Sequence, residues 1–149
     1  MIKDLANNNG LIMLNFGSGF ISKRSNKSFG DINSKVEKYK IENNLEDSDK
    51  KLLKYKDDLI NTVKPFASIN DFIETIDHVK ELVGIDHIGL GSDFEGLGNT
   101  LPYDLKDAST YPNILYNLLE REYSEIEIKK ICSDNLFRVW NANLQNRQI

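Results

Sequence analysis

The chain has 149 residues, a formal net charge of −4, 40% hydrophobic and 28% charged residues, which is one domain's worth of polypeptide with enough apolar content to bury a core. The acidic balance and the lack of a basic patch interleaved with aromatics argue against nucleic acid as a partner, and no stretch is long and apolar enough to span a bilayer. The single cysteine, Cys132, excludes a disulfide framework and a thiolate metal cluster, and its apolar neighbour Ile131 suggests a buried structural thiol.

Residues 1–7 lack the apolar core of a secretion signal, so a cytoplasmic location is expected for the chain as it stands. Residues 11–16 (Leu-Ile-Met-Leu-Asn-Phe) form an apolar run entered through Gly10 and left through Gly17 and Gly19. Continuous apolar character without alternation predicts a strand of a parallel sheet. From 22 to 64 the composition shifts to Lys, Asp, Glu, Asn and Ser, with a thin apolar stripe of Val36, Tyr39, Leu52, Leu53, Tyr55 and Leu59. This predicts a charged helical insert on the surface, and its mixed signs argue against a dedicated binding face.

Ser68 with Asp71 three residues on resembles a capping box, with Asp in place of the usual Glu or Gln. Ile69, Phe72, Ile73, Ile76, Val79, Leu82 and Val83 then recur at helical spacing until Gly84 ends the run. A second strand follows at once, so the order strand, connection with helix, strand predicts a right-handed crossover unit. Beyond it, Leu101-Pro102 and Tyr111-Pro112 mark an extended loop. Residues 113–120 read as helix, Ser124 with Glu127 caps another through Ile131, and a last helix carries Leu136, Val139 and Trp140.

The second strand lies in His87-Ile88-Gly89-Leu90-Gly91-Ser92-Asp93-Phe94-Glu95-Gly96. Ile88 and Leu90 supply apolar side chains, while Gly89 and Gly91 admit a close backbone neighbour. Asp93 comes where the apolar pattern stops, and so projects from the strand's C-terminal end, where ligands and catalytic groups gather in parallel α/β proteins. A turn-forming Asp is the other reading of the same residue, and the decapeptide alone does not separate the two. Two strands cannot make a stable sheet, because their open edges invite pairing, so the chain reads as the end of a larger barrel or sheet.

The motif order resembles a known family. Gly10-Leu11-Ile12-Met13-Leu14-Asn15-Phe16-Gly17-Ser18-Gly19-Phe20, then Ile76-Asp77-His78-Val79, then Gly84 through Gly96 come in that order, followed by Leu105-Lys106-Asp107-Ala108-Ser109-Thr110-Tyr111-Pro112 and Asn135-Leu136-Phe137-Arg138-Val139. Together they resemble the C-terminal part of the membrane (renal) dipeptidases, zinc metallopeptidases on a (β/α)₈ barrel of the metal-dependent hydrolase type. The exit of the charged insert, Lys64-Pro65-Phe66-Ala67, looks like the bacterial branch. The resemblance implies that residues 1–149 are a C-terminal fragment of one barrel domain, holding its last two strands, their helices and the 22–64 insert.

It further implies hydrolysis of dipeptides at a binuclear zinc site, where bound water becomes nucleophilic and the scissile carbonyl is polarised. The family's ligands, a His-x-Asp pair, a bridging Glu and two later histidines, have no counterparts in this chain, nor does its substrate-carboxylate arginine. Zinc is therefore expected in the complete enzyme and not in this chain alone. Asp93 carries over as the family's proton-shuttling carboxylate, which also contacts the substrate's amino group. Glu95 stands where the family usually has a second Asp. Expected partners are the dipeptide, the missing N-terminal part of the barrel, and a second copy of the complete enzyme as a homodimer.

Other residues have rival readings. His78 falls on a helix and His87 at the opposite end of the strand, so the two do not converge on one metal. Gly89-Leu90-Gly91 is not a dinucleotide loop, because Phe94 takes the third glycine's place and no helix follows directly. Phe16, Tyr103 and Tyr111 lie near strand ends and suit either a substrate pocket or the core. Three functions stay open: part of a metallodipeptidase, a subunit completing a barrel in trans, and a non-catalytic remnant. The intact surroundings of Asp93 favour the first two.

Overall fold

The two apolar runs pair as parallel strands in a computed structural model that describes residues 1–145. β1 is Ile12–Asn15 and β2 is Ile88–Gly91, in register from Ile12 opposite Ile88 to Asn15 opposite Gly91. Both are shorter than predicted. Residues Ile85–His87 coil into a 3₁₀ turn, and His87 Nδ1 sits 2.8 Å from the Gly10 carbonyl oxygen, which pins the entrances of the two strands together.

Strand alternation sorts the side chains onto two faces. Ile12, Leu14, Ile88 and Leu90 share one face, and with Phe16 they join an apolar cluster with Phe72, Ile73, Ile76, Val79, Ile114, Leu118 and Ile131 from the helices. Met13, Asn15, Gly89 and Gly91 share the other, where Met13 is 42% exposed. Helices thus cover the first face and leave Met13 open to solvent on the second, whereas parallel sheets are ordinarily covered on both faces. The glycines answer the bulk of Met13: a Cβ on Gly89 would lie 2.6 Å from Met13 Sδ, and one on Gly91 would lie 2.9 Å from both Met13 Cβ and the Met13 carbonyl oxygen.

The connection between the strands is helical throughout: α2 (Ser18–Ile21), α3 (Lys23–Glu42), α4 (Lys50–Val63) and α5 (Ile69–Val83), preceded by an unanticipated α1 (Ile2–Asn7) before β1. The charged segment forms the α3–α4 hairpin, closed by a Tyr39–Tyr55 stack with ring centroids 4.2 Å apart. Its buried apolar residues are Ile32, Leu52 and Ile60, while Leu53, read as part of the stripe, is 48% exposed at the rim of a groove it shares with Phe29 and Ile32 of the partner helix. At α5 the capping box is complete: Ser68 Oγ accepts from the Asp71 N–H, and the Asp71 carboxylate accepts from the Ser68 N–H. Leu82, in the last turn, is 38% exposed.

After β2, the helix placed at 113–120 starts earlier, as α6 (Tyr111–Glu120). Tyr111-Pro112 is therefore helical and not loop, since a first-turn proline forfeits only an N–H that has no partner within the helix. The Ser124–Glu127 capping box opens α7 (Glu125–Lys129). The predicted break before the last helix does not occur: α7 runs through a π-helical turn at Lys130–Asp134 into α8 (Asn135–Gln145). Cys132, expected to be buried, is exposed on that turn, although partial burial of its thiol raises its pKa. Among the described residues, no helix is long and apolar enough to cross a membrane.

Candidate active site

The strand ends bring two polar side chains together. Asn15 is the last residue of β1 and lies opposite Gly91, and Asp93 follows β2 by two residues. Asn15 Nδ2 donates to Asp93 Oδ2 at 3.0 Å, while Asn15 Oδ1 accepts from the Gly17 N–H at 2.7 Å. Asp93 is exposed and has a left-handed backbone, φ +54°, which Asp tolerates better than most residues. That bend leads into a turn in which the Gly96 N–H donates to the Asp93 carbonyl at 3.1 Å. The carboxylate lies directly over Gly96, where a Cβ would overlap Asp93 Oδ1 and come within 3.0 Å of Cγ.

The result is a solvent-facing carboxylate at the C-terminal mouth of a parallel pair, tied to the sheet through one amide. A carboxylate so placed can accept a proton from a ligand or donate one to it. Asn15 and Gly96 were missed as site residues in the sequence. The available signal was a polar residue near the end of an apolar run, two positions before a glycine. Glu95 is exposed on the same turn.

The opposite end of the sheet is built for stability. Buried Asn135 donates from Nδ2 to the carbonyls of Ile85 (2.8 Å) and Ile88 (2.9 Å). One turn on, Arg138 donates to the carbonyls of Asn9 (2.6 Å) and Asp86 (2.7 Å). His87 belongs to this end through its contact with Gly10, and His78 is exposed on α5. Among the described residues, no three His, Cys, Asp or Glu side chains are grouped so as to hold a metal ion.

A further polar cluster joins α5 to α6 and α7. Asp77 accepts from Arg121 and from the Tyr123 hydroxyl, and Lys80 lies 3.9 Å from the centre of the Tyr123 ring and 2.6 Å from Glu127. Burial, together with the bond to Asp77, pushes the Tyr123 hydroxyl's pKa up. The Lys80 ammonium, with the Ser124 N–H and hydroxyl, holds the Glu127 carboxyl down at about 2. These groups connect helices on the covered side of the sheet. Of the three aromatics near strand ends, Phe16 is fully buried and packs on Phe72 and Tyr111, so both Phe16 and Tyr111 belong to the core. Tyr103 is 65% exposed beside Arg24, Lys64 and Phe66.

Solved structures share this fold. The probable dipeptidase PvdM from Pseudomonas aeruginosa matches over 93% of this chain and 38% of its own, with a TM-score of 0.64 and 19% identity. A metallopeptidase from Rhodobacter sphaeroides, solved with a phosphinate mimic of the dipeptide L-Ala-D-Ala, matches over 91% of this chain and 28% of its own, with a TM-score of 0.59 and 18% identity. The chain thus spans less than two fifths of each protein it resembles in structure, and at such identities the likeness speaks to the fold. The family model described as membrane dipeptidase, peptidase family M19, matches residues 1–148, and the chain belongs to that family.

Proposed function

We propose that this chain is the C-terminal part of a (β/α)₈ metallodipeptidase barrel of the bacterial type and that Asp93 is its proton-transfer group. The observation that carries the reading is the Asp93 carboxylate at the C-terminal mouth of β2, held by Asn15 from the neighbouring strand. Catalytic groups of such barrels stand at that edge. A barrel also accounts for the unequal faces of the sheet, since helices cover its outside while Met13, Asn15, Gly89 and Gly91 would point inward. The remaining strands would come from polypeptide beyond these 149 residues, joined to the chain or separate from it.

The two zinc ions implied by the family would be held by that remaining part. This chain's contribution is acid–base chemistry. Asp93 takes a proton from the attacking water as its oxygen bonds to the scissile carbonyl carbon, then delivers it to the amine nitrogen as the C–N bond breaks. The same carboxylate, being anionic, suits the protonated amino group of a dipeptide.

The test is Asp93→Asn in the complete barrel, assayed with L-Ala-D-Ala, zinc content being measured on the same folded samples. The amide keeps the shape but cannot accept the proton, so kcat should fall about 10²–10⁴-fold with zinc occupancy unchanged. Glu95→Asp should alter turnover little. A carboxylate that serves only the turn would instead cost about 1 kcal/mol of stability on mutation, with turnover per folded molecule preserved. Full turnover in the Asn variant removes Asp93 from the mechanism.

A further inference from the structure

We infer that Asn15 is a positioning residue for Asp93, fixing the direction of its carboxylate against the rigid end of β1; this rests on the dipeptidase reading above. The orientation of the Asn15 amide is determined by its neighbours. The Gly17 N–H can only donate, so the oxygen of the side chain must face it, and the NH₂ group must face Asp93. One amide therefore reads a backbone donor on its own strand end and passes that registration to a carboxylate 78 positions away in sequence.

Asp93 needs such a support because its own segment offers little. It lies beyond the paired part of β2, in a left-handed turn, and its side chain is exposed. Among the described residues, the hydrogen bond from Asn15 falls on Oδ2, and the other oxygen, Oδ1, rests over Gly96. The carboxylate is thus located from two sides, by a donor on one and by the missing Cβ of Gly96 on the other. Oδ1 is left to exchange the proton. Gly96 has no positive φ that would itself bar alanine, and among the described residues the three atoms nearest to a methyl group there all belong to the Asp93 carboxylate, which can rotate away. Displacing it costs the fold little and the alignment much.

Three variants of the complete barrel separate positioning from mere support of the turn: Asn15→Ala, Asn15→Asp and Gly96→Ala, with Asp93→Asn as reference and L-Ala-D-Ala as substrate. Asn15→Asp retains an oxygen to accept from Gly17, but in place of the donor it sets a second carboxylate against Asp93. It thus removes the hydrogen bond and adds like-charge repulsion, whereas Asn15→Ala removes the hydrogen bond without adding charge. A misplacement on the scale of 1 Å at a reacting group costs about 10²-fold, so kcat should fall about 10–100-fold in all three, with KM changed less than about threefold. Circular dichroism and hydrogen exchange at the Gly17 amide should show Asn15→Asp and Gly96→Ala folded as the parent. If Asn15 only closes the turn, Asn15→Asp restores the parental kcat and Gly96→Ala is silent; that pair of results, with Asp93→Asn inactive, overturns this inference alone. A parental barrel that does not cleave the dipeptide, or an Asp93→Asn variant with full turnover, overturns the dipeptidase reading and this inference with it.

Discussion

Gly89 and Gly91 lie on the same face of β2 and meet the same residue, yet alanine should be tolerated at one and not at the other. At Gly89 the nearest atom to a new Cβ is Met13 Sδ, 2.6 Å away, near the far end of an unbranched, flexible side chain that can change rotamer. At Gly91 the new Cβ would meet Met13 Cβ and O at 2.9 Å and the carbonyl carbon at 3.0 Å, all fixed to the paired strand. Relieving that clash means prising the strands apart, and overpacking of this kind costs about 1–3 kcal/mol. Replacing a strand glycine by alanine returns about 0.5–1 kcal/mol of backbone entropy at either site. The net expectation is a loss of about 1–2 kcal/mol for Gly91→Ala and a change near zero for Gly89→Ala. In the complete barrel this corresponds to a Tm lowered by about 1–3 °C for Gly91→Ala alone. Thermal melts followed by circular dichroism, repeated with Met13→Ala in each background, provide the assay. Met13→Ala should remove any residual penalty at Gly89 but leave that at Gly91, whose obstacle is backbone and Cβ. Equal effects at the two glycines, or full rescue of Gly91→Ala by Met13→Ala, would refute the reasoning.

Asn135→Leu keeps the volume but removes the donor to the carbonyls of Ile85 and Ile88, and at about 1–3 kcal/mol for each unsatisfied group it should cost about 2–6 kcal/mol, read as a lower urea midpoint with an unchanged m-value. The Lys80–Glu127 pair should act on acid stability. Because the folded pKa of Glu127 lies below its ordinary 4.5, at about 2, its contribution is present in full above the ordinary carboxylate range and is lost as pH falls toward 2. With solvent screening of a partly exposed pair it should amount to about 1 kcal/mol. Glu127→Gln should therefore flatten the fall of Tm between neutral and strongly acidic pH, and an unchanged slope would show that the pair adds nothing.

Local patterns in the chain determined the elements that depend on local physics. The apolar runs around Ile12 and Ile88, the capping boxes at Ser68 and Ser124, the stop at Gly84 and the helical period of Phe72, Ile73, Ile76 and Val79 are all legible, because each is decided within a few residues. The position of Asp93 was legible for the same reason: it follows the last apolar residues of a strand. Tertiary structure decided which face of each element is covered. Leu53 has the spacing of a core residue and is exposed, Cys132 has a buried neighbour and is exposed, and residues 111–112 join a helix whose first residue, Tyr111, packs on Phe16 at the end of β1. Nor could a linear pattern reveal that Asn15 reaches Asp93, or that Gly96 makes room for its carboxylate. Those relations depend on the parallel register that sets Asn15 opposite Gly91, and a register is fixed only when two distant strands and the helices between them pack together.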